Sequence, residues 1–234
     1  MRCIDEIHTD FPFFGQRKIQ SALARDYGIH TGRKLVRKLM QEMGIQTIYP
    51  KENLSKRNFK EAIVPYLLRN YNVFLPNQVW SIDITYLRMN HGHMYLTALI
   101  DWFSRKIVGW ALSDTLEKES VIKVVKEAVL RYGSPSIINS DQGSQFTSEE
   151  YKKLLRDLGI RQSMDGKSRW ADNIMIERWF RSLKTELIYI NDFGTPKELR
   201  QSINDYINLY NTRRPHEALG YQTPDAVYSS RFAA

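Results

Sequence analysis

The chain has 234 residues, 42% of them hydrophobic and 26% charged, which is typical of a folded globular protein. Its apolar runs are far shorter than the roughly 20 residues of a membrane span, and its acidic N-terminus lacks the apolar stretch of a signal peptide, so we expect a cytoplasmic protein. The net charge of +8 fits a polyanionic partner, and the single cysteine, Cys3, excludes an intrachain disulfide and a zinc site with two thiolates.

A strongly basic segment with two predicted helices lies near the start of the chain. Residues 17–60 contain eleven Lys and Arg residues against three acids, an excess equal to the net charge of the whole chain. Apolar spacing predicts a helix over residues 17–26 and a second helix that starts after an N-cap at Thr31 and stops at Gly44. The second helix carries four cations beside its apolar stripe: Arg33, Lys34, Arg37 and Lys38. Such a helix can lie against DNA phosphates, although a solvated basic face would have the same pattern.

Residues 77–190 have the pattern of an α/β domain. In order, the predicted elements are strands at 79–87, 93–101 and 105–112, a helix at 117–132, a strand at 136–139, a helix at 147–158 that a Thr147–Glu150 capping box begins, a strand near residue 160, and a long helix from residue 172. This order indicates an α/β sandwich around a mixed sheet.

A further helix is predicted after this domain. Thr195, Pro196 and Glu198 have the residue types of an N-cap, an N1 proline and an N3 glutamate, and helical apolar spacing continues to Tyr210. The residues beyond this helix are interpreted as a tail. The chain is therefore divided into a helical, helix-turn-helix-like DNA-binding segment, a linker, a core domain and a C-terminal helix with its tail, at residues 1–50, 51–76, 77–190 and 191–234.

Two aspartates of the core domain are candidates for a catalytic site. Asp83 lies between Ile82 and Ile84 in a predicted strand, where a buried carboxylate is costly unless it is paired, hydrogen-bonded or bound to a metal ion. Asp141 directly follows another predicted strand and is followed by Gly143. Because carboxylates at strand ends converge readily in an α/β fold, these two aspartates are interpreted as a pair in one site.

A third acid lies on the long helix predicted from residue 172. The core stripe predicted for this helix holds Ile176, Phe180, Leu183, Leu187 and Ile190, and a separate polar stripe holds Asn173, Glu177, Arg181 and Lys184. Glu177 could therefore complete a metal site, with Arg181 and Lys184 placed to hold a DNA strand. The residues alone leave open a simpler interpretation, in which Glu177 and Arg181 form a surface ion pair one turn apart.

Three converging carboxylates would suit two Mg²⁺ or Mn²⁺ ions. Oxygen ligands match hard cations, whereas a sequence without His and Cys clusters argues against zinc. Two such ions, about 3.5–4 Å apart, activate the attacking oxygen and stabilise the leaving oxygen of a phosphoryl transfer. A chain with 26 acids contains many possible triples, so spacing alone does not establish the site.

Longer motifs surround each of the three acids. They read WSIDITYL at 80–87, IDWFSRKIVGW at 100–110, NSDQGSQFTS at 139–148 and SMDGK at 163–167, ahead of DN at 172–173 and ER at 177–178. Towards the C-terminus follow YN at 210–211, RRPH at 213–216, LGY at 219–221 and TP at 223–224, and 35 residues separate Asp141 from Glu177. Together with the helical segment at 14–43, these motifs resemble the second-frame (orfB-type) product of bacterial insertion-sequence transposases that have a retroviral-integrase-like core.

The resemblance implies an RNase H-like fold, a mixed five-stranded sheet flanked by helices, with Asp83, Asp141 and Glu177 as ligands of two divalent ions. It implies a DDE-type transposase that uses water to nick DNA at the 3′ ends of an element and joins each freed 3′-OH to target DNA. It also implies an oligomer on DNA, and a contact between Lys184 and the element end. The other DNA-contact candidates, on the polar stripe and in the C-terminal motif, are Asn173, Arg181, Arg213 and Arg214.

The sequence departs from the family pattern in two places. Asn139 stands where many members carry His, and the chain begins late for the family, whose complete transposase gains a DNA-binding part from an upstream frame. That upstream-frame product is therefore an expected partner. The alternatives are an RNase H-type nuclease and an inactive, transposase-derived DNA-binding protein. The basic helices and the RRPH motif favour transposition over the nuclease, and the presence of all three acids argues against the inactive protein.

Overall fold

A computed structural model describes residues 1–47, 64–164 and 173–230. Part of the predicted linker at 51–76 therefore lies outside the described residues, and its described part packs Leu68 against Val79 and Ile137. Within the three described ranges, no helix has the length and apolar character needed to cross a membrane.

The N-terminal unit consists of three helices, α1 (Arg2–Asp10), α2 (Gln16–Tyr27) and α3 (Arg33–Glu42). Two of them, α2 and α3, were predicted, but the N-cap of α3 is Gly32 rather than Thr31. Helix α1 was not predicted, although its buried Ile4 and Ile7 have helical spacing and pack in the same cluster as the α2 residues.

A mixed five-stranded sheet forms the centre of the molecule, as predicted. The strands are β1 (Val79–Arg88), β2 (His93–Asp101), β3 (Ile107–Ser113), β4 (Ile137–Ser140) and β5 (Arg161–Met164). They lie in the order β3-β2-β1-β4-β5, and the first three are antiparallel neighbours whereas β4 runs parallel to β1 and β5 parallel to β4. The sheet therefore changes from antiparallel to parallel pairing at β1, the strand that carries Asp83.

One face of the sheet is covered by α4 (Lys118–Tyr132), the short α5 (Ser144–Thr147) and α6 (Glu149–Asp157). Trp80 and Ile82 of β1 point to this face and are fully buried in its cluster. The N-cap of α6 is Ser148, whose hydroxyl accepts a hydrogen bond from the Tyr151 amide. The predicted capping box that begins at Thr147 is therefore wrong, because Thr147 belongs to the preceding short helix.

The opposite face is covered by α7 (Ile174–Leu183), a π-helical turn (Lys184–Ile188) and α8 (Pro196–Thr212). The predicted start of α8 is confirmed, since the Thr195 hydroxyl accepts a hydrogen bond from the Glu198 amide at 3.2 Å. Leu87 of β1 lies in the same hydrophobic cluster as residues of both helices. The C-terminal helix α8 is thus part of the packing on the face of the sheet opposite α4.

The π turn changes which side chains of the long helix are buried. It inserts an extra residue into the helical repeat, so every later position is rotated away from the α-helical expectation. Ile188 and Glu186 are consequently buried, whereas Ile190 is 40% exposed. The predicted core stripe holds as far as Leu183 and is wrong at Ile190.

The residues beyond α8 were interpreted as a tail, which is also wrong. They form a 3₁₀ turn (Glu217–Leu219) and a ninth helix, α9 (Pro224–Ser230). Tyr228 of α9 packs edge-on against Tyr132, and the Lys106 ammonium lies 4.5 Å from the centre of the Tyr228 ring. These contacts fix the end of the described chain against α4 and the loop between β2 and β3.

Two side chains of α8 bind the backbone of β3. The Asn211 carboxamide donates to the Ile107 carbonyl oxygen and accepts from the Ile107 amide, both at 3.0 Å. Arg200 donates to the Leu112 carbonyl oxygen at 2.8 Å. Helix α8 is therefore fixed along β3 by polar contacts near both ends of the strand.

The N-terminal unit docks, through α2, on the residues between α8 and α9 (213–223), which form the C-terminal segment. Arg25 donates to the Arg213 carbonyl oxygen at 2.7 Å, and the Arg213 guanidinium lies 5.6 Å from the centre of the Phe11 ring. Leu209 of α8 packs against the apolar cluster of the three N-terminal helices. This docking uses α2 and leaves the four cations of α3 exposed.

Candidate active site

Asp83 and Asp141 are placed by two neighbouring strands that pair in parallel. Val79 of β1 lies opposite Ile137 of β4, and Ser81 opposite Asn139. Asp83 lies two residues further along β1, and Asp141 directly follows the last residue of β4, so the pairing of these strands directs both aspartates towards the same region of the sheet. Neighbouring strands lie about 4.8 Å apart, a separation at which two carboxylates can share a ligand.

Asp83 is buried, at 4% exposure. It shares its face of β1 with Leu87, which packs in the cluster that contains α7, so the carboxylate faces the side that α7 covers. Its Oδ1 accepts a hydrogen bond from the Ile84 amide at 2.8 Å. Towards the start of the strand, Ser81 accepts from the Trp102 indole at 2.7 Å, which closes the floor of the site.

Asp141 lies just beyond the end of β4 and is half-buried. Its Oδ1 accepts a hydrogen bond from the Gly143 amide at 2.9 Å, so the turn into α5 orients the carboxylate. A Cβ on Gly143 would lie 3.0 Å from that same oxygen and 3.0 Å from Oε1 of Gln145. A larger residue at this position would therefore crowd the carboxylate of Asp141 and the carboxamide of Gln145, and one of the two would have to shift.

Glu177 lies in the first turns of α7, on the exposed side of the helix. Helix α7 packs against β1 through its apolar side, which includes Ile176 and Phe180. The helix therefore places Glu177 over the face that carries Asp83. Its polar stripe also contains Asn173, which is buried at 3% exposure, and neither the nitrogen nor the oxygen of its carboxamide has a hydrogen-bond partner within the described residues.

Lys184, at the start of the π turn, is placed near Asp83. Burial lowers the pKa of the Lys184 ammonium and the Asp83 carboxylate partly offsets this effect. The ammonium also lies 4.9 Å from the centre of the Tyr86 ring on β1. A half-buried cation next to the carboxylates can bind the phosphate of a substrate that reaches them.

The three acids are not assembled as a complete metal site. Across residues 1–47, 64–164 and 173–230, no group of three or more Asp, Glu, His or Cys side chains lies close enough to hold one ion. The structure thus pairs the strands that carry Asp83 and Asp141 and places Glu177 on the covering helix. The three carboxylates would have to come closer together to bind one ion as a set.

The remaining predicted DNA contacts differ in accessibility. Arg33, Lys34, Arg37 and Lys38 on α3, Arg181 on α7, and Arg213 are all exposed. Arg214 is instead buried, at 7% exposure, and it donates to both carboxylate oxygens of Glu186. This position favours a structural role for Arg214.

Glu186, Tyr206 and Lys18 complete a buried polar cluster with Arg214 that the sequence analysis missed. The Tyr206 hydroxyl donates to Oε2 of Glu186 at 2.7 Å, and the Lys18 ammonium lies 3.7 Å from Oε1. The cluster joins α2, the π turn, α8 and the C-terminal segment. Its sequence signal is weak, because Glu186 stands between Thr185 and Leu187 and lies outside the core stripe predicted by helical periodicity.

Three family models match the chain. A model described as an integrase core domain matches residues 75–169, a second integrase core domain model matches residues 158–224, and a model described as an HTH-like domain matches residues 1–53. The two core models between them include Asp83, Asp141 and Glu177.

Curated relatives match along most of the chain. The transposase for insertion sequence element IS904 of Lactococcus lactis is 37% identical over 221 residues, which cover 90% of this chain and 85% of the relative. InsK, named for insertion sequence element IS150 of Escherichia coli, is 30% identical over 226 residues, which cover 94% of this chain and 80% of the relative.

Solved structures with the same fold are retroviral. The catalytic core domain of HTLV-2 integrase, solved in complex with magnesium, superposes with a TM-score of 0.56 at 21% identity, covering 66% of this chain and 97% of that one. A chain of the simian T-cell lymphotropic virus intasome superposes with a TM-score of 0.59 at 17% identity, covering 96% of this chain and 74% of that one. At such identities the likeness shows the fold, which confirms the predicted RNase H-like architecture.

Proposed function

We propose a catalytic function for this chain on one premise, that it belongs to the insertion-sequence transposases with an integrase core. In this proposal it nicks DNA at the 3′ ends of a mobile element and joins the freed 3′-OH groups to target DNA. The observation that carries the proposal is the parallel pairing of β1 and β4, because Asp83 lies on β1 and Asp141 directly follows β4. Two carboxylates on neighbouring strands can contribute to a metal site for phosphoryl transfer.

The chemistry of the side chains fits two Mg²⁺ or Mn²⁺ ions. Asp83, Asp141 and Glu177 offer oxygen donors alone, which hard divalent cations prefer. When bound, such ions activate the attacking oxygen and stabilise the leaving oxygen of an in-line displacement. A magnesium complex of HTLV-2 integrase core, a protein of the same fold, supports this choice of ion.

The other residues of the site would position the DNA. The hydrogen bond from the Gly143 amide holds the Asp141 carboxylate in one orientation. Lys184 would bind a phosphate next to the scissile bond, because its ammonium already lies close to Asp83. Exposed Arg181, on the same stripe of α7 as Glu177, would contact the strand, whereas Asn173 is buried and is not accessible to DNA in this structure.

The test is an assay for both reactions on one labelled duplex, whose end sequence is taken from the DNA that flanks the coding region. With Mg²⁺, wild-type protein is expected to nick at the 3′ end and to transfer the strand to a second duplex. Glu177→Gln should reduce both products by about a thousandfold or more, since the several kcal/mol that metals contribute correspond to this factor. DNA binding should stay within about twofold, because the substitution preserves the size of an exposed side chain.

Glu127→Gln on α4 is the matched control, because Glu127 is 61% exposed and pairs only with Lys123 on the face away from α7. It should retain wild-type activity. Full activity of Glu177→Gln would show that this residue is not a ligand. Nicking without strand transfer would identify a nuclease, and binding without either product would identify a DNA-binding protein without catalytic activity.

We further propose that the exposed cations of α3 bind the DNA backbone and that residues 1–50 serve as a DNA-binding unit beside the core at 77–190. Each phosphate contact contributes about 0.9 to the slope of log affinity against log salt. Arg37→Gln should therefore lower this slope by about 1, as measured by fluorescence anisotropy. Arg131→Gln at the end of α4 should leave it unchanged, and an unchanged slope for Arg37→Gln would remove α3 from the interface.

The proposed partners follow from the same family. The chain would act as a homo-oligomer that pairs two element ends, as intasome chains of the same fold assemble on DNA. The product of an upstream frame would supply further DNA binding. Both proposals can be checked by measuring the mass of the complex that the protein forms with an element-end duplex, with and without the upstream product.

A further inference from the structure

A cleft of about 540 Å³ separates the N-terminal unit from the catalytic helix. It lies between the start of α2, the end of α7 with its π turn, and the C-terminal segment. Six charged residues line it: Arg17, Lys18, Arg181, Glu186, Arg214 and Glu217. One of these residues, Arg181, lies one helical turn beyond Glu177 on α7, so the cleft is next to the candidate active site along this helix.

The charges of this cleft do not cancel. Arg17 pairs with Glu217, and these two residues neutralise each other. Glu186 accepts two hydrogen bonds from Arg214, at 2.5 and 3.0 Å, and a third from Tyr206. The Glu186 carboxylate therefore already accepts three hydrogen bonds from side chains other than Lys18.

Lys18 is the second cation next to the Glu186 carboxylate. Its ammonium lies 3.7 Å from Glu186, farther than a hydrogen bond, and its side chain is only 23% exposed. Two buried cations thus share one carboxylate, and exposed Arg181 adds a further positive charge at the rim. With Arg17 and Glu217 paired, three cations of the cleft stand against the single carboxylate of Glu186, and this excess of positive charge suits an anion.

Two titrating groups respond to this excess positive charge. Burial, with repulsion from Arg214, lowers the pKa of Lys18 to about 8 although Glu186 raises it. Burial, together with repulsion from Arg214 and Lys18, lowers the pKa of His216 to about 2. Both groups therefore lie in a region that disfavours additional positive charge.

We propose that this cleft holds a backbone phosphate of the DNA substrate, an inference that rests on the proposed action on DNA. A phosphodiester carries one negative charge and accepting oxygens, which match Lys18 and Arg181. The cleft is open to solvent, so a continuous strand can pass through it. A strand held there would run along α7 towards Glu177, and the docked N-terminal unit would form one wall of its path.

The test is Lys18→Met, which removes the charge and keeps an unbranched side chain. Affinity for a fluorescein-labelled 40-bp duplex of arbitrary sequence is measured by anisotropy between 50 and 300 mM salt, because a phosphate contact is independent of sequence. The slope of log affinity against log salt should fall by about 1. Lys123→Met on α4 is the control and should keep the wild-type slope, since Lys123 is 71% exposed on the other side of the sheet.

A second measurement separates anion binding from a structural role. The folded protein lowers the pKa of Lys18 from 10.5, so at pH 7 the charged form is less favourable in the folded state than in the unfolded state. Lys18→Met should therefore have a melting temperature at least equal to that of the wild type without DNA. A lower melting temperature with an unchanged salt slope would overturn the proposal and make Lys18 a structural partner of Glu186.

Exposed Arg181 provides a variant that folding cannot compromise. Arg181→Gln should also lower the salt slope by about 1, and the double variant with Lys18→Met should lower it little further, because both cations contact the same phosphate. Unchanged slopes for both single variants would overturn the inference while metal-dependent nicking remained intact. If the wild-type protein did not nick DNA, the proposed function would be overturned. The salt slopes of the two variants would still show whether the cleft binds a phosphate.

Discussion

Asp83→Asn is expected to abolish nicking and strand transfer while leaving the sheet folded. Asparagine has the size of aspartate and can still accept from the Ile84 amide, so the local backbone contact survives. It lacks the charge that a divalent cation requires, and its strand pairs in parallel with β4, which Asp141, the proposed co-ligand, directly follows. The loss should reach about a thousandfold or more in the initial rate of nicking on the labelled duplex with Mg²⁺.

Metal binding by the same variant can be measured without DNA. Ligands that bind only the folded state raise its stability by an amount that grows with their concentration. Mg²⁺ or Mn²⁺ titrated to 10 mM should therefore raise the melting temperature of the wild type and of the control Asp205→Asn, whose side chain is exposed on α8. Asp83→Asn should show no such rise. An equal rise in both variants would place the ion elsewhere.

Glu186→Gln is expected to cost about 3–5 kcal/mol in the free energy of unfolding, the range measured when one partner of a buried ion pair is removed. The substitution leaves buried Arg214 without its carboxylate and Lys18 next to it without compensation. Urea unfolding followed by circular dichroism would give the difference. Glu127→Gln, at 61% exposure, should change the stability by less than about 0.5 kcal/mol.

The double variant Glu186→Gln with Arg214→Met identifies the cause of the loss. If the cost comes from the unpaired charge of Arg214, removing that charge should recover a large part of the stability. A double variant as unstable as the sum of its single variants would assign the loss to packing. A cost near zero for Glu186→Gln would show that the cluster does not stabilise the docked N-terminal unit.

The sheet and its aspartates could be predicted because their signals are local. Alternation along residues 79–87 is a property of one strand, and an Asp between two isoleucines is unusual within it. The predicted convergence of Asp83 with Asp141 needed only the rule that parallel strands end at the same edge. β1 and β4 do pair in parallel, and the convergence of the two aspartates in one metal site stays a prediction. The role of Glu177 was harder to predict. Periodicity alone indicated a surface residue, and only the surrounding motifs indicated a metal ligand.

The errors arose where tertiary packing overrides local pattern. The π turn at Lys184–Ile188 has no sequence signal of its own, yet it reverses the burial expected of Glu186 and Ile190. Arg214 is one of two adjacent arginines, and a basic motif by itself indicates a polyanion more readily than an internal carboxylate. Only the three-dimensional position of Glu186 shows that Arg214 binds an internal carboxylate and not a polyanion.

The contacts between α8 and β3 have a consequence for self-assembly. β3 is an edge strand, and an uncovered edge is a template on which another chain can add a strand and start to aggregate. Asn211 occupies the amide and carbonyl of Ile107, and Arg200 occupies the carbonyl of Leu112. Helix α8 therefore occupies backbone groups near both ends of this edge strand, which disfavours strand pairing through β3 between two copies of the chain.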